Sequence, residues 1–113
     1  KETMNNKKIT IVLGLNYGGR DEIIRAISKI KNSEFRIQNL TKDNFSNYLD
    51  TKDIPDPDLI IRTGGEKRLS GFMLWQSEYS ELYFSDLYFP DFTPKELKKA
   101  INSYSERQRR FGK

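Results

Sequence analysis

Two short apolar runs, each stopped by paired glycines, constrain this chain more than any other feature. The first spans Ile9 to Leu15 and runs into Asn16, Tyr17, Gly18 and Gly19; the second spans Leu59 to Ile61 and runs into Arg62, Thr63, Gly64 and Gly65. A near-continuous apolar run rich in β-branched residues is the pattern of a strand buried on both faces of a parallel sheet. After the first turn, Ile23, Ile24, Ile27 and Ile30 fall on one helical face. Asp21 and Glu22 sit in the first turn, where acids suit the helix dipole. Strand, glycine turn, helix predicts an α/β fold: a mainly parallel sheet flanked by helices.

The remaining elements follow the same logic. Thr41 is placed to cap a short helix carrying Phe45, Tyr48 and Leu49, and the "DIPDPD" segment reads as a stiff connector. A short helix is expected over Phe72–Gln76 and a third strand around Leu82 to Phe84. Thr93, Pro94 and Glu96 give a strong helix start, with Leu97, Ala100, Ile101 and Tyr104 as its apolar stripe. There is no internal repeat and no sign of a second domain. Three strands are few for a sheet of this type, and "KETMNNKK" reads like the middle of a protein, so the expectation is a portion of a larger domain.

Composition narrows the chemistry. The 113 residues include no cysteine and no histidine, which removes disulfides, thiolates and imidazole bases. Carboxylates, hydroxyls, arginines, backbone amides and a metal remain available. A cysteine-free chain fits the cytoplasm. No apolar run reaches the roughly 18 residues of a membrane span, and the formal net charge of +4 favours an anionic partner.

The segment "IRTGGEKRLSG" is the best candidate for holding that anion. Arg62 falls at the carboxyl end of its strand, where α/β sheets bind ligands. Gly64 and Gly65 permit a tight turn and close approach. Arg68 and Ser70 alternate, so an extended backbone points them the same way. Two guanidiniums and a hydroxyl suit a diphosphate, and the N-terminus of a following helix would add its dipole. The competing reading is a surface turn with solvated charges, because the segment is not a Walker loop. "NYGGR" likewise lacks a dinucleotide fingerprint and reads as a strand–helix connector. Glu78, Glu81, Asp86 and Asp91 are each candidates for magnesium, which needs only one or two carboxylates, or are ordinary solvated acids. Tyr79, Tyr83, Phe84, Tyr88, Phe89 and Phe92 read as core or subunit interface. "ERQRRFGK" is either a solvated basic tail or brings Arg110 and Gly112 to a phosphate.

Taken together, "NYGGR", "PDLIIRTGGEKRLSGFMLWQSEYSELYF", "PDF" and "RQRRFG" resemble the C-terminal half of the cis-prenyltransferases, of the bacterial undecaprenyl diphosphate synthase type. The resemblance covers nearly all of the chain and weakens from about Lys31 to Pro55. It implies an enzyme that condenses isopentenyl diphosphate onto an allylic diphosphate, usually farnesyl diphosphate, with Mg2+ as cofactor. Arg62, Arg68 and Ser70 match positions that bind isopentenyl diphosphate, and Glu81 matches one that helps hold magnesium. Arg110 and Gly112 match a closing motif that reaches the partner subunit's diphosphate site in a homodimer. "NYGGR", with Asn16 and Arg20, is expected to be mainly structural.

The family's Asp-Gly-Asn-type loop, which supplies its essential aspartate, has no counterpart in the sequence. The chain by itself is therefore expected to be inactive, with its product, in the whole enzyme, delivered to the membrane. Two other readings stand beside this one. The first is a non-catalytic partner subunit of a cis-prenyltransferase, against which the retained Arg62, Arg68, Ser70 and Glu81 argue. The second is a basic nucleic-acid-binding module, against which the absence of a basic stripe with stacking aromatics argues.

Overall fold

In the computed structural model, residues 5 and 7–107 are described. Helix α1 spans Gly19–Lys31, a one-turn helix α2 spans Lys42–Phe45, strand β1 spans Leu59–Arg62, strand β2 spans Glu81–Phe84 and helix α3 spans Pro94–Ser105. Strands β1 and β2 pair in parallel, Leu59 opposite Glu81 and Arg62 opposite Phe84. This is the expected parallel sheet with flanking helices, present as a partial domain. Among the described residues no helix is long and apolar enough to cross a membrane.

Local signals explain most elements. Thr41 caps α2 in a reciprocal box with Asn44, accepting from its backbone N–H at 3.3 Å while the Asn44 side chain accepts from the Thr41 N–H at 2.8 Å. Thr93 is the N-cap of α3 and Pro94 its first residue, although the Thr93 side chain makes no capping bond. Proline there gives up a donor that has no intrahelical partner in any case. The main core is small: Ala26, Ile30, Phe45 and Leu49 are buried, with Ile23, Phe35, Tyr48 and Trp75 packed around them. The Cα radius of gyration is 16.7 Å, against about 13 Å for a compact domain of this length.

Three expectations are corrected. Ile9–Leu15 forms no strand; Ile9, Ile11, Val12, Leu13 and Leu15 are 61–86% exposed. A strand meant for burial on both faces needs neighbours to ladder with, and among the described residues this run joins no sheet. Second, α1 does not bury all four isoleucines. Its inner stripe is Glu22, Ala26 and Ile30, whereas Ile24 and Ile27 are more than half exposed. Third, Phe72–Gln76 is a chain of turns. Ser70, Gly71 and Met73 have φ of 50°, 82° and 50°, and left-handed residues cannot continue a right-handed helix. The dipole expected from a helix after the glycine turn is therefore not available. Of the aromatics read as core or subunit interface, Tyr83, Phe84 and Phe92 are half-buried, whereas Tyr88 and Phe89 are 70% and 78% exposed.

Candidate diphosphate site

The sheet ends where the site begins. The Ser85 N–H donates to the Arg62 carbonyl at 2.8 Å, closing β1 against the chain after β2. The glycine turn stays zipped to the same segment: Gly65 N–H donates to Ser85 O at 2.9 Å and Gly64 N–H to Leu87 O at 2.7 Å. These two amides are spent inside the protein, so neither glycine N–H is available to an anion. Gly64 and Gly65 are required by conformation, with φ of 95° and 79°, rather than by crowding. Gly64→Ala is expected to destabilise by about 1–2 kcal/mol through the left-handed penalty, measured by denaturant unfolding, with little effect on the arginines next to it.

The donors that remain are guanidiniums. Arg62 is half-buried; its Nη1 donates to the Arg68 carbonyl and, at 2.9 Å, to the Ser70 hydroxyl. Its Nε and Nη2 have no protein partner among the described residues. Arg68 pairs with Glu66 at 2.7 Å, both side chains being more than half exposed. Such a surface pair holds little net free energy and yields readily to a phosphate. The alternation expected of Arg68 and Ser70 is not what joins them. Ser70 is left-handed, and Arg62 brings the two residues together by bonding one through its carbonyl and the other through its hydroxyl.

The "NYGGR" turn docks directly on this loop. Gly19 N–H donates to Gly71 O at 2.8 Å, and Arg20 and Ser70 line a shared depression of about 470 Å³ with Gly18, Gly71 and Leu74. Glu81 stands apart. It begins β2 while Arg62 ends β1, a separation of about 10 Å along the strands. Its carboxylate accepts from Arg107 Nη1 at 2.9 Å, and the same nitrogen donates to Leu82 O at 2.9 Å. Arg110 and Gly112 lie outside the described residues. Among the described residues no three acidic side chains come together as a metal cage.

Sequence reasoning missed a buried network behind the site. Glu22, read as a dipole partner, is instead 1% exposed. Its Oε1 accepts from the Tyr17 hydroxyl at 2.5 Å and from Gln76 Nε2 at 3.0 Å, and its Oε2 accepts from the Asp50 N–H at 2.9 Å. The available signal was its spacing, four and eight residues ahead of the buried Ala26 and Ile30. Burial, and then the Glu22 carboxylate beside it, push the Tyr17 phenol well above its ordinary range. A phenol whose pKa is raised on folding contributes stability that is intact below about pH 10 and is lost as pH rises further. Tyr17→Phe is therefore expected to flatten the alkaline fall in unfolding free energy, and to cost about 1 kcal/mol at neutral pH for the lost bond. Nearby, Arg25 forks onto Asp50 at 2.6 and 2.7 Å, which holds the Asp50 carboxyl below its usual range.

Comparison with known proteins shows the family. The family model described as "Putative undecaprenyl diphosphate synthase" matches residues 1–112. The isoprenyl transferase of Fusobacterium nucleatum is 53% identical over 113 residues, 99% of this chain and 47% of that protein. That of Thermotoga maritima is 50% identical over 114 residues, 99% of this chain and 49% of that one. The chain thus spans about half the length of the curated relatives it matches. Among solved structures, a probable undecaprenyl diphosphate synthase from Campylobacter jejuni superposes with a TM-score of 0.75 at 42% identity, over 88% of this chain and 45% of that one. Lavandulyl diphosphate synthase from Lavandula x intermedia, in complex with dimethylallyl diphosphate, gives 0.77 at 39%, over 86% and 44%. With its strand-end arginine, its glycine turn and a family match along almost its whole length, this chain belongs to the prenyltransferase family of undecaprenyl diphosphate synthase.

Proposed function

We propose that this chain is the C-terminal portion of a single cis-prenyltransferase domain and supplies its isopentenyl diphosphate site. The observation that carries the reading is the Arg62 fork: one nitrogen closes the loop onto Arg68 and Ser70, and the other two have no protein partner among the described residues. A guanidinium held this way offers parallel N–H donors to phosphate oxygens at little further cost in side-chain order. Arg68, once it leaves Glu66, adds a second cation, and Ser70 a hydroxyl. Fixed on a strand end, they hold one substrate while an allylic diphosphate, farnesyl diphosphate in this reading, meets its double bond. In the same reading the whole enzyme is a cytoplasmic homodimer that passes a polyprenyl diphosphate to the membrane, with Arg110 and Gly112 reaching the partner's site.

Magnesium fits the donor chemistry only in part. It accepts one or two carboxylates alongside substrate phosphates, and Glu81 is the carboxylate assigned here to offer one. Glu81 is held by Arg107, however, so the described residues present no ready-made cage, and the ion would supply charge neutralisation of the diphosphates. The exposed Ile9–Leu15 run and the apolar cavity of about 380 Å³ beside it, lined also by Ile54, Phe72 and Met73, are where the rest of the domain is proposed to pack. The test is turnover. The chain with farnesyl and isopentenyl diphosphates and magnesium is expected to form no product, and addition of the N-terminal half of the Fusobacterium nucleatum relative is expected to restore it. Turnover by the chain alone would refute the half-domain assignment.

A further inference from the structure

The proposed chemistry leaves the buried Glu22–Gln76 pair unused. Gln76 is 2% exposed; its Nε2 donates to Glu22 and, at 2.9 Å, to the Thr51 hydroxyl. Its Oε1 has no partner among the described residues. Buried polar groups cost free energy unless they are bonded, and in return they fix direction as an apolar contact does not. What this pair fixes is the segment after Ser70. There Ser70 and Met73 hold φ of 50° on either side of Gly71. Non-glycine residues persist in that region only where their surroundings over-determine them. Three contacts with the first glycine turn and α1 do so. Gly19 N–H holds Gly71 O at 2.8 Å. The Tyr17 ring stands edge-on to Phe72 at 5.7 Å. Glu22 holds Gln76 at 3.0 Å.

We propose that Glu22 and Gln76 are a positioning pair for the diphosphate site: by fixing residues 70–76 on α1, they keep the Ser70 hydroxyl where Arg62 meets it. The pair touches no reacting atom. The inference rests on the reading of Arg62, Arg68 and Ser70 as the isopentenyl diphosphate site.

The test is an exchange of charge and amide. Gln76→Glu sets two carboxyl groups about 3 Å apart. The groups facing them are the Tyr17 phenol, the Thr51 hydroxyl and the Asp50 backbone; the Asp50 side chain is turned to Arg25 and, at 3.9 Å, to Lys29. Two such carboxyls share one proton in acid and repel when both are charged. Gln76→Glu is therefore expected to bind isopentenyl diphosphate near the wild-type affinity at about pH 5 and about tenfold more weakly at about pH 8, each compared with wild type at the same pH. The double variant Glu22→Gln with Gln76→Glu restores a carboxylate–amide pair and is expected to return within about threefold of wild type at both values. The single tryptophan, Trp75, whose ring lies 4.5 Å from that of Phe45, reports by fluorescence whether the core is intact. A pH-independent affinity in folded Gln76→Glu overturns the proposal, as does a double variant no better than the single one. If Gln76→Glu unfolds at the higher pH, the double variant alone decides, since rescue requires the pair. Failure of the wild type to bind overturns the site reading first, and is seen before either variant is compared.

Discussion

Arg62→Ala is expected to weaken isopentenyl diphosphate binding by about 100-fold or more, roughly 3 kcal/mol. Two losses combine. The substitution removes the guanidinium donors proposed to meet the phosphate, and it leaves the Arg68 carbonyl and Ser70 hydroxyl without the Nη1 that joins them. Arg62→Lys is expected to rescue little, because a single ammonium cannot close the loop and present a fork to phosphate at once. Ser70→Ala removes a hydroxyl that accepts from the Arg62 guanidinium and is proposed to meet the diphosphate, and is expected to cost about twentyfold. Calorimetric titration of each variant checks the order. Comparable affinity in Arg62→Ala and wild type would mean that the charged turn is a solvated surface feature.

The second large effect is on folding. Gly19→Ala is expected to destabilise the chain by about 3 kcal/mol or prevent the loop from docking. A Cβ at Gly19 would stand 2.3 Å from the Gly71 carbonyl oxygen and 2.7 Å from Leu74 Cγ. The first obstacle is backbone, so no rotamer change relieves it, and the Gly19–Gly71 hydrogen bond lies in the same contact. Gly18→Ala, one residue earlier, meets only the Asp21 Cβ at 3.9 Å and is expected to change stability by under about 1 kcal/mol. Denaturant midpoints of the two variants separate a steric requirement from mere turn preference.

The contrast between those glycines shows where the sequence was legible. Elements set by local signals emerged as expected: β1 over Leu59–Arg62, β2 over Glu81–Phe84, the Thr41 cap, and α3 beginning at Pro94. Elements that depend on neighbours did not. Ile9–Leu15 has the marks of a strand but pairs with neither β1 nor β2, since a strand forms only where a neighbour takes up its backbone hydrogen bonds. Ile24 and Ile27 follow the helical period of Ile23 and Ile30 and still face outward, because the periodicity of a helix apolar on several sides does not say which side this chain covers. In the site, the residue types were legible and their geometry was not. Arg62, Arg68 and Ser70 do meet, but through a left-handed Ser70 and a bridging guanidinium rather than by alternation. Glu22 reads in the sequence as a helix-dipole partner; its spacing to Ala26 and Ile30 hints at the inner face, but two of its hydrogen-bond partners lie far along the chain at Asp50 and Gln76.

The central claim is that this chain carries a formed diphosphate site, and binding tests it most directly. Isopentenyl diphosphate should be titrated into the wild-type chain and into Arg62→Ala by calorimetry, with and without magnesium, after circular dichroism has shown both to be folded. Saturable binding to the wild type that Arg62→Ala loses by about 100-fold is the predicted result. No binding to a folded wild-type chain under either condition would contradict the account.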